Sequence, residues 1–127
     1  MVKFLTITEA NARFASDSAH NVGLVCIFAG ATSGTGAGAI ERMAVMMQAP
    51  TFYVLGRSAA RFASQRAKLE SLNPSLKLVF LEVEVSLISD IDAVSKQITA
   101  AERKVDYLYM SQGCIPLNVP QCMYLLF

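Results

Sequence analysis

Two hydrophobic rhythms alternate along this chain. Leu24 to Ala29 (LVCIFA) is an unbroken apolar run, the pattern of a strand buried on both faces of a parallel sheet rather than of a half-exposed one. After a glycine-rich stretch the period becomes helical. Ile40, Met43, Ala44 and Met47 fall at i, i+3, i+4 and i+7 and form one apolar face that ends before Pro50. Thr51 to Leu55 (TFYVL) predicts a second strand, broken by Gly56, and the stretch from about Ser58 to Leu72 predicts a helix stopped by Asn73 and Pro74. A third strand lies within Leu76 to Val85. Ser89 with Asp92 three residues later is a capping-box signature, opening a helix faced by Ile91, Val94, Ile98 and Ala101. Val105 to Met110 predicts a fourth strand.

Strands separated by helices of this length require right-handed parallel crossovers, so the sheet is covered on both faces. The expected fold class is α/β, a three-layer αβα arrangement with a parallel sheet, truncated after about four strands. Residues 1–21 precede the alternation and form an N-terminal extension, in which Thr6 and Glu9 either cap a short helix or sit in a loosely held segment. Residues 22–116 carry the βαβ pattern. Residues 117–127 no longer follow it and read as a divergent tail.

Composition narrows the function classes. The 127 residues are 54% hydrophobic and 17% charged with a formal charge of +1, as in one folded domain. Eleven basic against ten acidic residues leave no electrostatic footprint for a phosphate backbone, which argues against nucleic acid as a partner. The longest apolar stretch, Val22 to Ala31, is far short of the ~20 residues that span a bilayer. No signal-peptide core opens the chain, so a cytoplasmic protein without membrane contact is expected. Cys26, Cys114 and Cys122 have no CxxC spacing, and the lone His20 does not complete a zinc set with them. No metal site is expected, and Cys26 in its apolar run reads as a small core hydrophobe.

The candidate chemistry lies between the first strand and the first helix, in Ala29-Gly30-Ala31-Thr32-Ser33-Gly34-Thr35-Gly36, with Gly38 close behind. Four glycines in nine residues, placed after a buried strand, let the chain turn with positive φ and bring backbone N–H groups up to a ligand, while the helix N-terminus favours an anion. The alternative is a tight turn that serves helix packing alone. The position argues for a ligand, because open parallel sheets bind at the carboxyl ends of their strands. Thr35 and Gly36 stand where a P-loop needs Gly-Lys, so the ligand is expected to be a dinucleotide rather than a nucleoside triphosphate. The domain is then Rossmann-like and NAD(P)-binding.

The end of the second strand selects among dinucleotides, since a carboxylate there bonds a ribose 2′-hydroxyl and an arginine accommodates a 2′-phosphate. Here the residues are Gly56-Arg57-Ser58 with no adjacent carboxylate in the sequence, which points to NADP(H). Otherwise Arg57 is a solvated helix-start arginine. Ser58 is either a further donor to the phosphate or the N-cap of the helix. FAD or S-adenosylmethionine would usually meet an acidic residue here, and Arg57 argues against both.

With these residues in place, the chain from Val22 to Pro116 resembles the amino-terminal half of a short-chain dehydrogenase/reductase, in a form common among fungal NADP-dependent members. Ala29, Gly30, Gly34 and Gly36 match the family's glycine motif. Gly56-Arg57-Ser58 match its cofactor-selecting position. Glu84-Val85-Ser86 stand where the family has Asp-Val or Asp-Leu against the adenine, and Met110-Ser111-Gln112-Gly113 replace its Asn-Asn-Ala-Gly. The resemblance implies that Gly30, Thr32, Ser33, Gly34, Thr35 and Gly36 hold the pyrophosphate side. It places Arg57 and Ser58 at the 2′-phosphate, Glu84 and Val85 at the adenine, and Gly113 at the ribose.

Family members transfer hydride between a nicotinamide and a carbonyl or alcohol, with a Tyr as general acid/base, a Lys four residues later and a Ser orienting the substrate. Four residues after Tyr53, Tyr107 and Tyr109 come Arg57, Ser111 and Gly113, and Tyr124 is too near the end. No catalytic residue is therefore assigned. The chain alone is expected to lack activity, and a small-molecule carbonyl or alcohol substrate belongs only to a full-length form. The competing expectation is a non-catalytic nucleotide-binding or interaction module. A sheet ending at its fourth strand leaves an apolar edge at Tyr107 to Met110, with Tyr124 to Phe127 as a hydrophobic tip, and such edges lead to self-association.

Overall fold

The computed structural model describes residues 1–113. Their elements run α1 (Phe4–Ser16), β1 (Val25–Ala29), α2 (Gly34–Met46), β2 (Thr51–Gly56), α3 (Ala59–Leu72), β3 (Lys77–Glu82), α4 (Ile88–Ala101) and β4 (Tyr107–Met110). The four strands form one parallel sheet in the order β3-β2-β1-β4. The fold is thus the expected α/β Rossmann-like one.

The unbroken apolar runs are explained by the two faces they serve. Cys26 and Phe28 of β1 with Phe52 and Val54 of β2 point to one side, where Ile40 and Ala44 of α2 and Phe62 and Leu69 of α3 cover them. Val25 and Ala29 with Tyr53 and Leu55 point to the other, against Val94 and Ile98 of α4. Period-two alternation then yields no polar face, because both faces are dry. Phe28 and Phe52 meet edge-on with centroids 4.9 Å apart at the centre of the first core. Ile40, Ala44 and Met47 are buried and Met43 packs against them, as the helical spacing predicts.

Three expectations are corrected here. The helix after Leu87 begins at Ile88 with Leu87 as its N-cap and no side-chain cap bond, so Ser89 and Asp92 form no capping box. The Leu87 carbonyl already accepts from the N–H groups of Asp90 and Ile91, which starts the helix a residue before the serine could cap it. Ala101 is exposed rather than on the buried face. Gly56 does not break β2 but is its last residue.

The N-terminal extension is a helix, yet neither Thr6 nor Glu9 caps it; its N-cap is Lys3 without a side-chain bond. Its sequence buries no residue, and Phe14 alone among its large apolar side chains packs on the core. The fully buried Asn21 fastens it: Nδ2 donates to the carbonyls of Phe14 and Ala15, both at 2.8 Å, and to that of Met46 at 3.3 Å.

β4 is shorter than expected because Asp106 is used before it. The Val25 N–H donates to Asp106 Oδ2 at 2.8 Å while the Asp106 N–H donates back to the Val25 carbonyl, also at 2.8 Å, which sets β4 in register on β1. Lys104 Nζ donates to the other carboxylate oxygen at 2.9 Å. The Lys104 bond and the Val25 N–H hold the carboxyl below its ordinary value of 3.8, against a smaller opposing effect of burial. A carboxylate whose pKa is lowered on folding contributes stability above its unfolded pKa and loses it as pH falls through the folded one. Asp106→Asn is expected to cost about 1 kcal/mol at pH 7, with the difference from wild type vanishing in urea melts at pH values below that folded pKa. A difference independent of pH would show that the charge contributes nothing.

Candidate cofactor site

All four strands end at one cleft of about 500 Å³. The turn from β1 into α2 forms its floor. Gly30 has φ +85°, and a Cβ there would lie 2.5 Å from the backbone N of Gln112 and 2.7 Å from the carbonyl carbon of Ser111. The turn therefore touches the chain leaving β4, a contact closed by Ser111 N–H to the Ala29 carbonyl at 2.9 Å and Ser111 Oγ–H to the Gly30 carbonyl at 3.0 Å. A Cβ on Gly36 would overlap the Gly30 carbonyl oxygen, so the first turn of α2 is pressed against the loop that precedes it.

Gly34 is required for a different reason. Its φ is +56° and nothing lies within 4 Å of where its Cβ would be, so the backbone here is bare toward open space. Ser33, the N-cap of α2, makes no side-chain cap bond, and the first N–H groups of a helix have no intrahelical partner. Gly30, Thr32, Ser33, Gly34, Thr35 and Gly36 all line the cleft. This is a cradle of bare backbone donors at a helix's positive end, which fits a diphosphate. Gly38 finds open space and makes no such demand. Gln65 Nε2, from α3, donates to the Ala31 carbonyl at 3.1 Å and braces the turn.

Gly56 at the end of β2 has a packing role. A Cβ there would come 2.9 Å from the Phe80 ring and 3.1 Å from Thr32 Cγ2, and Phe80 in turn stacks on Phe62 with centroids 4.9 Å apart. Arg57 follows it and lines both the main cleft and a second pocket of about 170 Å³, shared with Thr32, Ser33, Ser58 and Arg61. Ser58 is the N-cap of α3, its Oγ accepting from the Arg61 N–H at 3.3 Å.

No carboxylate adjoins Arg57 in the sequence, but the fold brings one to it. Glu84 Oε2 lies 3.8 Å from Arg57 Nη1, both side chains about one-third exposed. Glu84 Oε1 accepts from Ser86 Oγ–H at 2.9 Å. Val83 and Val85 line the cleft while Glu84 is engaged with Arg57 and Ser86 at its rim. Residues 57 and 84 meet because β2 and β3 pair in parallel with Gly56 opposite Glu82.

Gly113, with φ +145°, lines the fourth side of the cleft with Ser111 and Gln112. Gln112 carries no signal in the sequence: beside the cleft its Oε1 is buried with no hydrogen-bond partner among the described residues, a carbonyl oxygen for which a ligand donor is a natural partner. Arg61 and Gln65 were missed too. Their spacing from Ser58 carries no signal without the helix that aims them.

The nucleophile and proton-shuttle candidates lie elsewhere. Cys26 is fully buried, and burial, with the Asp106 charge adding to it, pushes its thiol up to about 12. Tyr53 is in β2, where burial and then its 2.8 Å hydrogen bond to Glu102 push the phenol up to about 12. Tyr107 and Tyr109 are in β4. Among the described residues no three His, Cys, Asp or Glu converge as metal ligands, and no helix is long and apolar enough to cross a membrane. Cys114, Cys122, Tyr124, the end of the βαβ region at Pro116 and the tail 117–127 lie outside the described residues.

The fold is that of an α/β Rossmann-like protein with a glycine-lined cleft at the carboxyl ends of its strands. No family model matches the chain. Among curated proteins it is 37% identical to the oxidoreductase lepF of Aspergillus flavus, over 80% of this chain and 31% of that protein. It is 39% identical to the NmrA-like family domain-containing oxidoreductase notO of an Aspergillus species, over 89% of this chain and 34% of that protein. The chain thus spans about a third of the curated relatives it matches. Among solved structures it superimposes on a short-chain dehydrogenase/reductase from Sinorhizobium meliloti with a TM-score of 0.61 at 23% identity, covering 77% of this chain and 44% of that one. It also superimposes on the RhlG/NADP complex of Pseudomonas aeruginosa with a TM-score of 0.59 at 13% identity, covering 76% and 37%. The chain has the fold seen in short-chain dehydrogenase/reductases, and in sequence it is similar to fungal oxidoreductases.

Proposed function

We propose that this chain binds NADP(H) as the cofactor-holding part of an oxidoreductase that acts on a carbonyl or alcohol. One observation carries the reading: Gly34 at positive φ faces open space at the N-terminus of α2, where the first N–H groups have no intrahelical partner, while Gly30 and Gly36 admit no side chain. Ser33 to Gly36 bind the pyrophosphate, Thr32 closes the turn's outer side, and Arg57 and Ser58 meet the ribose 2′-phosphate. Val85 packs against the adenine, Glu84 holds Arg57 at the rim, and Gly113 lets the chain pass close to the ribose. The nicotinamide, when bound, donates or accepts a hydride; these residues orient it and exclude water. The NADP in the RhlG complex supports the choice of nucleotide by analogy of fold. None of the described residues is proposed as a proton shuttle.

A thermal melt of the whole chain, alone and with each nucleotide, tests this. Ligand at a hundred times its dissociation constant adds about 2.7 kcal/mol, several degrees for a domain of this size. A midpoint raised more by NADPH than by NADH is expected. No shift with either nucleotide refutes cofactor binding.

A second reading attaches to β4, the edge of the sheet among the described residues, whose Leu108 and Met110 are 62% and 64% exposed. An unpaired apolar edge recruits another strand, and we propose self-association through it. Sedimentation is expected to show a concentration-dependent dimer; a monomer at every concentration refutes it.

A further inference from the structure

We propose that the apolar cavity between α4 and β4 is the seat of this chain's own residues 122–127 (CMYLLF), which cover the α4 side of the edge strand. The inference is independent of the cofactor reading. The cavity, of about 280 Å³, lies on the face of the sheet that carries α4. It exists because α4 stops short of the edge: Val94 and Ile98 pack with Ala29 of β1 and Leu55 of β2 in one core, and no residue of β4 belongs to that core. Tyr109 turns to the opposite face, where it meets Phe28 with centroids 6.0 Å apart. Leu108 and Met110 alternate with it and so point to the α4 side. Both line the cavity and stay exposed there.

Reach and charge choose the occupant. The described residues end at Gly113, and Gln112 lines the cavity, so the residues that follow leave from its mouth. Residues 114–121 span up to about 26 Å at 3.3 Å each, more than the ~17 Å from Met110 back to Val105 along the strand. Residues 122–127 therefore reach any part of the cavity. No charged side chain lines it, and residues 114–127 contain no Asp, Glu, Lys, Arg or His. A charged partner seated on this wall would be desolvated without a counter-charge, whereas Met123-Tyr124-Leu125-Leu126-Phe127 offers five large apolar or aromatic side chains in a row that gain by leaving water. Being tethered, the segment also outcompetes free partners through its effective concentration. Seating it leaves the backbone edge of β4 open, so self-association through that edge stands or falls separately.

The test compares the whole chain with a chain shortened after Gln121, which keeps every described residue, by the fluorescence of anilinonaphthalene sulfonate, a dye that brightens on exposed apolar surface. The whole chain is expected to leave the dye dark at every protein concentration. The shortened chain brightens it several-fold, and Leu108→Ser in the shortened chain removes most of that gain, assigning it to the cavity. Equal brightness in the two chains, or a gain that Leu108→Ser leaves intact, overturns the proposal. So does a whole chain that is dark only where sedimentation shows a dimer, since a second copy is then the occupant. Should the shortened chain lose its cooperative urea transition, the whole chain decides. Ser95→Cys and Thr99→Cys each place a thiol on the cavity wall, one turn apart on the exposed side of α4. Each is combined with Cys114→Ser, and Cys26 is fully buried, which leaves Cys122 as the accessible second thiol. Under mild oxidation at least one variant is expected to form a disulfide with Cys122 within a single chain, which requires Cα atoms within about 7 Å and is identified by peptide mapping. No such bond in either variant, or a bond that joins two chains, overturns the proposal.

Discussion

Gly36→Ala is expected to abolish dinucleotide binding and to cost about 3 kcal/mol of stability, whereas Gly34→Ala abolishes binding at a cost of about 1 kcal/mol. The two glycines look alike in the sequence but answer to different physics. A methyl on Gly36 runs into the Gly30 carbonyl oxygen. That atom is backbone and cannot rotate aside, so the turn must open, and with it the contact of Gly30 with the chain beyond β4. A methyl on Gly34 meets nothing; its cost is the left-handed backbone, and its effect on binding is that it projects from the bare surface the diphosphate would approach. Urea melts with and without NADPH separate the cases. Equal destabilisation by both substitutions would show that Gly36 is not wedged against Gly30, and undiminished NADPH stabilisation in either variant would sink the assignment of the turn to the pyrophosphate.

Arg57→Asp is expected to reverse nucleotide preference, lowering NADPH affinity by roughly a hundredfold or more while NADH is retained. Loss of a hydrogen bond to a charged group costs about 1.5–3 kcal/mol, and the new carboxylate also repels the 2′-phosphate. The structure adds a complication. Glu84, which now faces Arg57 at 3.8 Å, would face another carboxylate, so the single substitution also sets two like charges at the rim. Arg57→Asp combined with Glu84→Gln removes that repulsion and is expected to bind NADH better than the single variant. The ratio of the two dissociation constants is the readout; a ratio unchanged from wild type removes Arg57 from phosphate recognition.

Much of this architecture was legible before any coordinates. LVCIFA and TFYVL are buried strands, the Ile40 to Met47 spacing is a buried helix face, and the glycine cluster lies at the carboxyl end of β1. Of the two roles the sequence allows Ser58, it takes that of N-cap of α3. Ser89 and Asp92 form no capping box because the Leu87 carbonyl, which the local pair does not reveal, has already begun the helix.

The sequence by itself determined the layering and the place of the glycine turn that lines the candidate site. Hydrophobic period is a local property, set by which side chains must leave water, and glycine's freedom at positive φ is a property of the residue alone. The tertiary structure alone decided which charges meet. Arg57 and Glu84 are separated by α3 and β3 along the chain and adjoin only through the parallel register of β2 and β3. Asp106 locks β4 to the start of β1 across 81 residues, and Arg61 reaches the second pocket because α3 starts where Ser58 caps it. Such pairings depend on strand order and register, and those are settled when the whole core packs.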